Sequence, residues 1–214
     1  AVELKGDLSE IDKQLAQTQP GARSDAESTL GRAYLLMLQR NFHDAMAIVK
    51  ELPADIRSDD KPKEYLEGAL YIFVNDKDHA RSAFQRARSI LEEAIQRGSD
   101  DASRHVMLGV VLAGLGEKQA AIAEGRRAVA LLPESQDALD GPKMTLMLAQ
   151  IYAWTGENDA ALELLERSLV TPAGVTVSSL VFNPVWDPLR SDDRFQALLE
   201  PGQISGNKLS MNCR

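Results

Sequence analysis

Cysteine is almost missing from this chain. Cys213 is the only one in 214 residues, which excludes an internal disulfide, leaves no thiolate cluster for a metal, and sets the expectation of a reducing, cytoplasmic setting. Aromatic residues are scarce at 5%, and β-branched residues are sparse as well, so the side chains that suit a pleated sheet are in short supply. Long apolar runs are lacking too. A stretch such as HVMLGVVLAGLG, His105–Gly116, is far shorter than the roughly 20 residues of a bilayer span, so no membrane insertion is expected. Positive charge is in deficit, with 24 Lys and Arg against 32 Asp and Glu and a net charge of -8. A phosphate backbone would on average be repelled, and nucleic acid is not an expected partner. No basic-then-apolar leader opens the chain at Ala1, and we expect a fragment of a longer protein.

What is present is helix-forming material: alanine, leucine, glutamate, glutamine and arginine, which lose little side-chain freedom in a helix. The order within it is a repeat. The stretch from Ala102 to Ser135 aligns with that from Pro142 to Val175: Leu108, Gly109, Leu112, Gly116, Ala121 and Ala128 match Leu148, Ala149, Tyr152, Gly156, Ala161 and Ser168, each at an offset of 40. Small residues at the eighth, twentieth and twenty-seventh places let two antiparallel helices approach. Bulky residues at the seventh, eleventh and twenty-fourth fill the seam, and Gly116 and Gly156 supply a turn in which a left-handed backbone costs least.

Two looser copies precede these. One carries Gly68, Tyr71, Ala80, Phe84 and Ala87 at the same places, with Asn75, also tolerant of positive φ, at the turn. The other carries Ala33, Leu36, Ala45 and Val49 and lacks the turn glycine. The twentieth-place alanines then fall at 45, 80, 121 and 161, at intervals of 35, 41 and 40. Three Ser-Asp-Asp triplets, at 58–60, 99–101 and 191–193, read as helix N-caps rather than metal-binding acids.

This signature resembles the tetratricopeptide repeat, a helix-turn-helix unit of 34 residues. The resemblance implies an all-α, right-handed superhelix of about four hairpins, over 26–53, 61–98, 102–135 and 142–175 within an array at 24–175. Ahead of the array, residues 1–20 form an amphipathic helix, with Leu4, Leu8, Ile11 and Leu15 on one face and Pro20-Gly21 as its stop. That helix either caps the first hairpin or is the surviving half of an upstream repeat. Behind the array, residues 176–200 form an irregular cap and 201–214 a flexible tail. Within the cap Pro184 and Pro188 cannot continue a helix, so Trp186, Leu189 and Phe195 can be laid across the last hairpin.

The run Trp186-Asp187-Pro188-Leu189-Arg190, with Gln136 to Pro142 before it, is similar to the tail of tetratricopeptide regions in bacterial multidomain signalling proteins. Two flanking elements depart from that pattern, at Val181 to Pro184 and at Asp192 to Phe195. Those proteins attach such regions to adenylate or guanylate cyclase, Ser/Thr kinase or winged-helix domains. The expected role is therefore a non-catalytic scaffold in a signalling protein. A fragment of a cyclase or kinase, or the effector region of a transcription regulator, are the alternatives.

No catalytic constellation emerges: HExxH, P-loop, dinucleotide glycine and nucleophile-elbow motifs are all missing. His43, His79 and His105 lie in different repeats, and no catalytic residue, metal or cofactor is expected. The methionines Met37, Met46, Met107, Met144 and Met147 recur at core spacing. By the resemblance, the first helix of each hairpin lines a concave groove. That places Tyr34, Met37 and Leu38, then Tyr65, Ala69, Ile72 and Phe73, then Val106 and Val110, then Lys143, Leu146, Gln150 and Trp154 on it. From these Tyr34, Tyr65, Ile72, Phe73, Val110, Lys143, Gln150 and Trp154 are the candidate contacts for a protein or peptide, with Tyr65, Phe73, Gln150 and Trp154 foremost. Self-association is a further expectation, as is the reading that several of these side chains pack between hairpins or under a terminal segment instead.

Overall fold

Four backbone positions set the architecture. Arg40, Asn75, Gly116 and Gly156 all have positive φ, at 63°, 60°, 81° and 77°, and each joins two helices. The computed structural model describes residues 22–53, 57–58, 61–98 and 100–200. Its helices pair as α1 (Ala22–Leu38) with α2 (Phe42–Glu51), α3 (Lys63–Phe73) with α4 (Lys77–Arg97), α5 (Ala102–Gly114) with α6 (Lys118–Leu131), and α7 (Gly141–Trp154) with α8 (Asn158–Val170). A two-residue antiparallel bridge, Arg57–Ser58 with Lys61–Pro62, lies between the first two pairs. The expected N-terminal helix at 1–20 and tail at 201–214 lie outside the described residues.

The four turns are the same object. In each, the amide after the left-handed residue reaches back to the carbonyl five residues earlier: Asn41 to Leu36 and Asp76 to Tyr71 at 2.8 Å, Glu117 to Leu112 at 2.9 Å and Glu157 to Tyr152 at 2.8 Å. This bond satisfies a carbonyl that the helix end would leave open. That same residue is the N-cap of the next helix. Its carbonyl accepts from the amide four residues on: Ala45, Ala80, Ala121 and Ala161, at 3.1, 3.1, 2.9 and 3.0 Å. Those are the four twentieth-place alanines, and their exposures are 0%, 1%, 0% and 0%.

Arg40 is the unexpected member of the set, because a Cβ in the left-handed region costs roughly 1–2 kcal/mol. Replacing it by glycine, Arg40→Gly, is expected to raise stability by about 0.5–1 kcal/mol in urea denaturation, the gain being trimmed by the added freedom of the unfolded chain.

Contacts divide the chain into two units, Ala1–Ala87 and Arg88–Arg214, the boundary falling inside α4. In the first unit, Ala33, Met37, Ala45, Met46, Val49 and Leu70 form the core, with Leu36, Phe42, Leu66, Tyr71 and Phe73 packed around it. A Cβ built on Gly68 would meet the Phe84 ring at 2.6 Å, so the large side chain of α4 uses the space that the small residue of α3 leaves. Lys63 joins α3 to the end of α2 by donating from Nζ to the carbonyls of Lys50 and Leu52 at 2.9 and 2.5 Å.

In the second unit α5 packs on α6, and both pack on α7. A Cβ on Gly109 would stand 2.9 Å from the Ala121 carbonyl oxygen and 3.1 Å from the Gly125 nitrogen, so the backbones of α5 and α6 nearly touch there. The two turns of this unit are bridged by Lys118 and Glu157 at 2.6 Å. Asp101 caps α5 by accepting from the Arg104 amide, and Asp192 caps α10 (Asp193–Leu199) by accepting from the Arg194 amide. Two of the Ser-Asp-Asp triplets thus act as N-caps. The third does not, since the N-cap of α3 is Pro62 and Ser58 belongs to the bridge.

After α8 the chain forms a short α9 (Val177–Phe182), a 3-10 helix (Pro184–Leu189) and α10. The 3-10 helix lies on α7, and α10 on α8. Its residues explain one another. Trp186 and Leu189 are buried at 2% and 0%. Between them Asp187 accepts from Arg190 Nε at 2.6 Å, while Arg190 Nη2 donates to the Val181 carbonyl at 2.7 Å and so closes the end of α9. Arg194 Nη2 pairs with Asp159 at 2.8 Å and ties α10 to the start of α8. No helix among the described residues is long and apolar enough to cross a membrane.

Candidate functional site

The predicted contact residues separate into accessible and enclosed ones. In the first unit Tyr34, on α1, leaves 47% of its surface exposed and Ile72, on α3, 38%. Val74, just past α3, adds an exposed apolar side chain at the same helix end. Burial pushes the Tyr34 hydroxyl above the ordinary phenol range. Tyr65 is buried at 7%. Phe73 is half-buried, its ring centroid 5.3 Å from that of Phe42, and it packs against the core of this unit.

The second unit encloses two of the candidates. Val110 is fully buried and Gln150 is 7% exposed, because α5 and α7 are enclosed on most sides: residues 105–113 and 148–153 are all buried. A helix apolar on every face is a core helix, and Val106 and Val110, expected to line a groove, are part of that core. Trp154 is half-buried, and its Nε1 donates to the Val185 carbonyl of the 3-10 helix at 2.9 Å, so it fastens the C-terminal segment. Lys143 is exposed and pairs with Asp140 at 2.7 Å, three residues earlier. Of the eight candidates, the structure leaves Tyr34 and Ile72 on the surface of one unit and Lys143 on that of the other.

Sequence periodicity could not separate groove from core here. Apolar residues fill both the places expected to face a ligand and those facing a neighbour, so residue type alone does not tell the two apart. The signal that does discriminate is the cap: its proline-bounded segment needed a partner surface, and the 3-10 helix lies on α7, where Trp154 donates to Val185.

Titratable groups are mostly paired at the surface. Arg86 meets Glu67 at 2.7 Å, Arg88 meets Glu92 and Glu117 at 2.7 and 2.9 Å, and His79 meets Asp76 at 2.8 Å while stacking on Tyr71. Each such exposed pair contributes little to stability. Among the described residues, no group of three or more His, Cys, Asp or Glu side chains could hold a metal ion. The arrangement that the scattered histidines did not foreshadow is one in which the buried His105 lies between the partly exposed Asp100 and Glu124. No protein-family model matches the chain, and no curated protein or solved structure shows significant similarity to it.

Proposed function

We propose that this chain is a non-catalytic scaffold of the tetratricopeptide type, a right-handed superhelical array that holds another polypeptide within a bacterial signalling protein. The observation that carries the reading is the fourfold recurrence of one turn with one enclosed alanine four residues beyond its N-cap, at Asn41 and Ala45, Asp76 and Ala80, Glu117 and Ala121, and Glu157 and Ala161. A repeated hairpin cannot bury its apolar face alone and stacks on its neighbours, which yields extended surfaces suited to peptide partners. The Trp-Asp-Pro-Leu-Arg run supports the signalling context through the resemblance stated above. The lone Cys213 accords with a reducing cytoplasm.

The partner surface is assigned to Tyr34 and Ile72, apolar side chains at first-helix places that remain exposed. A half-exposed tyrosine is a rigid anchor with little entropy to lose on binding. A photoreactive phenylalanine analogue at position 34, introduced into the chain in living cells, tests this. The expected outcome is a covalent adduct with a polypeptide, absent when the analogue replaces exposed Ala120 on α6. Tyr34→Ala should move the denaturation midpoint by no more than about 0.5–1 kcal/mol equivalent, as for an exposed site. Equal adduct patterns at 34 and 120, or none at 34, would contradict the assignment.

A further inference from the structure

Each first helix carries an enclosed aliphatic residue two positions after its small eighth-place residue. These are Leu35 on α1, Leu70 on α3, Val111 on α5 and Ile151 on α7, exposed at 3%, 2%, 0% and 0%. Two residues along a helix are a rotation of about 200°, so the tenth place faces away from the eighth. The eighth place meets the hairpin's own second helix: Gly68 abuts Phe84 of α4, and Gly109 the Ala121 carbonyl of α6. The tenth place meets the hairpin before. Leu70 joins the cluster that Ala33 and Met37 of α1 form with Ala45, Met46 and Val49 of α2. Ile151 Cδ1 stands 2.7 Å from where a Cβ on either Gly109 of α5 or Gly125 of α6 would be.

Leu35 holds this place on the first helix among the described residues. Ala33 and Met37, two and two residues to either side, turn into the cluster shared with α2, so Leu35 lies on the opposite face of α1. It is nevertheless as enclosed as Leu70. Gly31 and Leu38, on the same side as Leu35, are half-buried, while the neighbouring Arg32 and Tyr34 are exposed. Helix α1 is therefore covered on two opposed faces and open between them.

The chain that leads into α1 has the means to cover the second face. Leu4, Leu8, Ile11 and Leu15 fall within about 60° of one another on a helix. Pro20-Gly21 then stops the stripe directly before Ala22, the first residue of α1. Leu4 and Leu35 are 16 and 15 residues from Pro20, so a helix that folds back there runs antiparallel to α1 and brings Leu4 level with Leu35. In chain order this is the relation of α2 to α3 and of α6 to α7, a second helix that lies against the first helix following it.

We infer that residues 1–20, which lie outside the described residues, dock as a lone second helix ahead of the first hairpin, with Leu4, Leu8, Ile11 and Leu15 laid over Leu35. The chain's own N-terminal segment then closes this face of α1 to a protein partner. Tyr34, about 100° round the helix, stays open. The docking is independent of whatever Tyr34 and Ile72 hold.

Thiol labelling of the full chain tests the docking. Cys213→Ser removes the native thiol, and Leu35→Cys places one beneath the stripe. Its reaction with a maleimide is expected to be slow and to quicken at least about tenfold when Leu4→Asp and Leu8→Asp are added. Adding Ser9→Asp and Gln17→Asp instead, the same charge on the other side of the segment, should leave it slow. A thiol already fast in the parent, or one indifferent to the changes at Leu4 and Leu8, would overturn the docking. So would quickening on dilution, which assigns the cover to a second copy of the chain. If Leu35→Cys does not fold, urea denaturation decides. Leu4→Asp with Leu8→Asp is expected to lower the folding constant at least about tenfold relative to Ser9→Asp with Gln17→Asp, the scale of burying one leucine. Equal constants for the two pairs overturn the inference.

Discussion

Trp186→Ala is expected to remove about 3–5 kcal/mol of stability, the cost of emptying a buried tryptophan site. Trp186 is 2% exposed within a 3-10 helix that lies on α7, beside Val185, whose carbonyl takes the Trp154 indole hydrogen, and Leu189, which is fully buried. Removing the indole hollows out a segment whose other large apolar side chains, Leu189 and Phe195, are also fully buried. Trp186→Phe should cost much less. It keeps most of the apolar contact, and the indole nitrogen it removes has no hydrogen-bond partner among the described residues. Urea denaturation followed by circular dichroism separates the two variants without relying on tryptophan emission. A residue kept for stacking on a ligand would give the opposite pattern, with both variants near wild-type stability.

Much of the helical framework was legible in the sequence because turns and close contacts demand particular residues. Gly116, Gly156 and Asn75 announced left-handed positions, and Ala80, Ala121 and Ala161 announced enclosed ones. The run Pro184 to Arg190 announced an irregular cover, and its two prolines fall in the 3-10 helix Pro184–Leu189. Arg40 was not legible, since nothing in an arginine signals positive φ; the turn is forced by the helices around it.

The candidate site was far less readable. Val110, Gln150 and Tyr65 have the chemistry of contact residues and the surroundings of core residues. The His105 cluster was equally hidden. Asp100 and His105 are close in the chain, but Glu124 and Arg127 reach them only once the hairpin has closed.

The claim on which all this depends is that each hairpin closes on one small side chain. Ala121 sits where α5 and α6 are nearly in backbone contact, with its own carbonyl oxygen 2.9 Å from where a Gly109 Cβ would stand. Ala120, one residue before it, is exposed. A leucine at 121 adds three carbons where there is no room, and the helices must part or the new side chain must leave its rotamer. A cost of about 2–3 kcal/mol is expected, near the top of the range for overpacking. A leucine at 120 stands in solvent and should stay within about 0.5 kcal/mol of the parent. The decisive measurement is the paired urea denaturation of Ala121→Leu and Ala120→Leu against the unchanged chain. The account predicts a midpoint drop for Ala121→Leu alone; equal midpoints for the two variants, or a larger loss at 120, would contradict it.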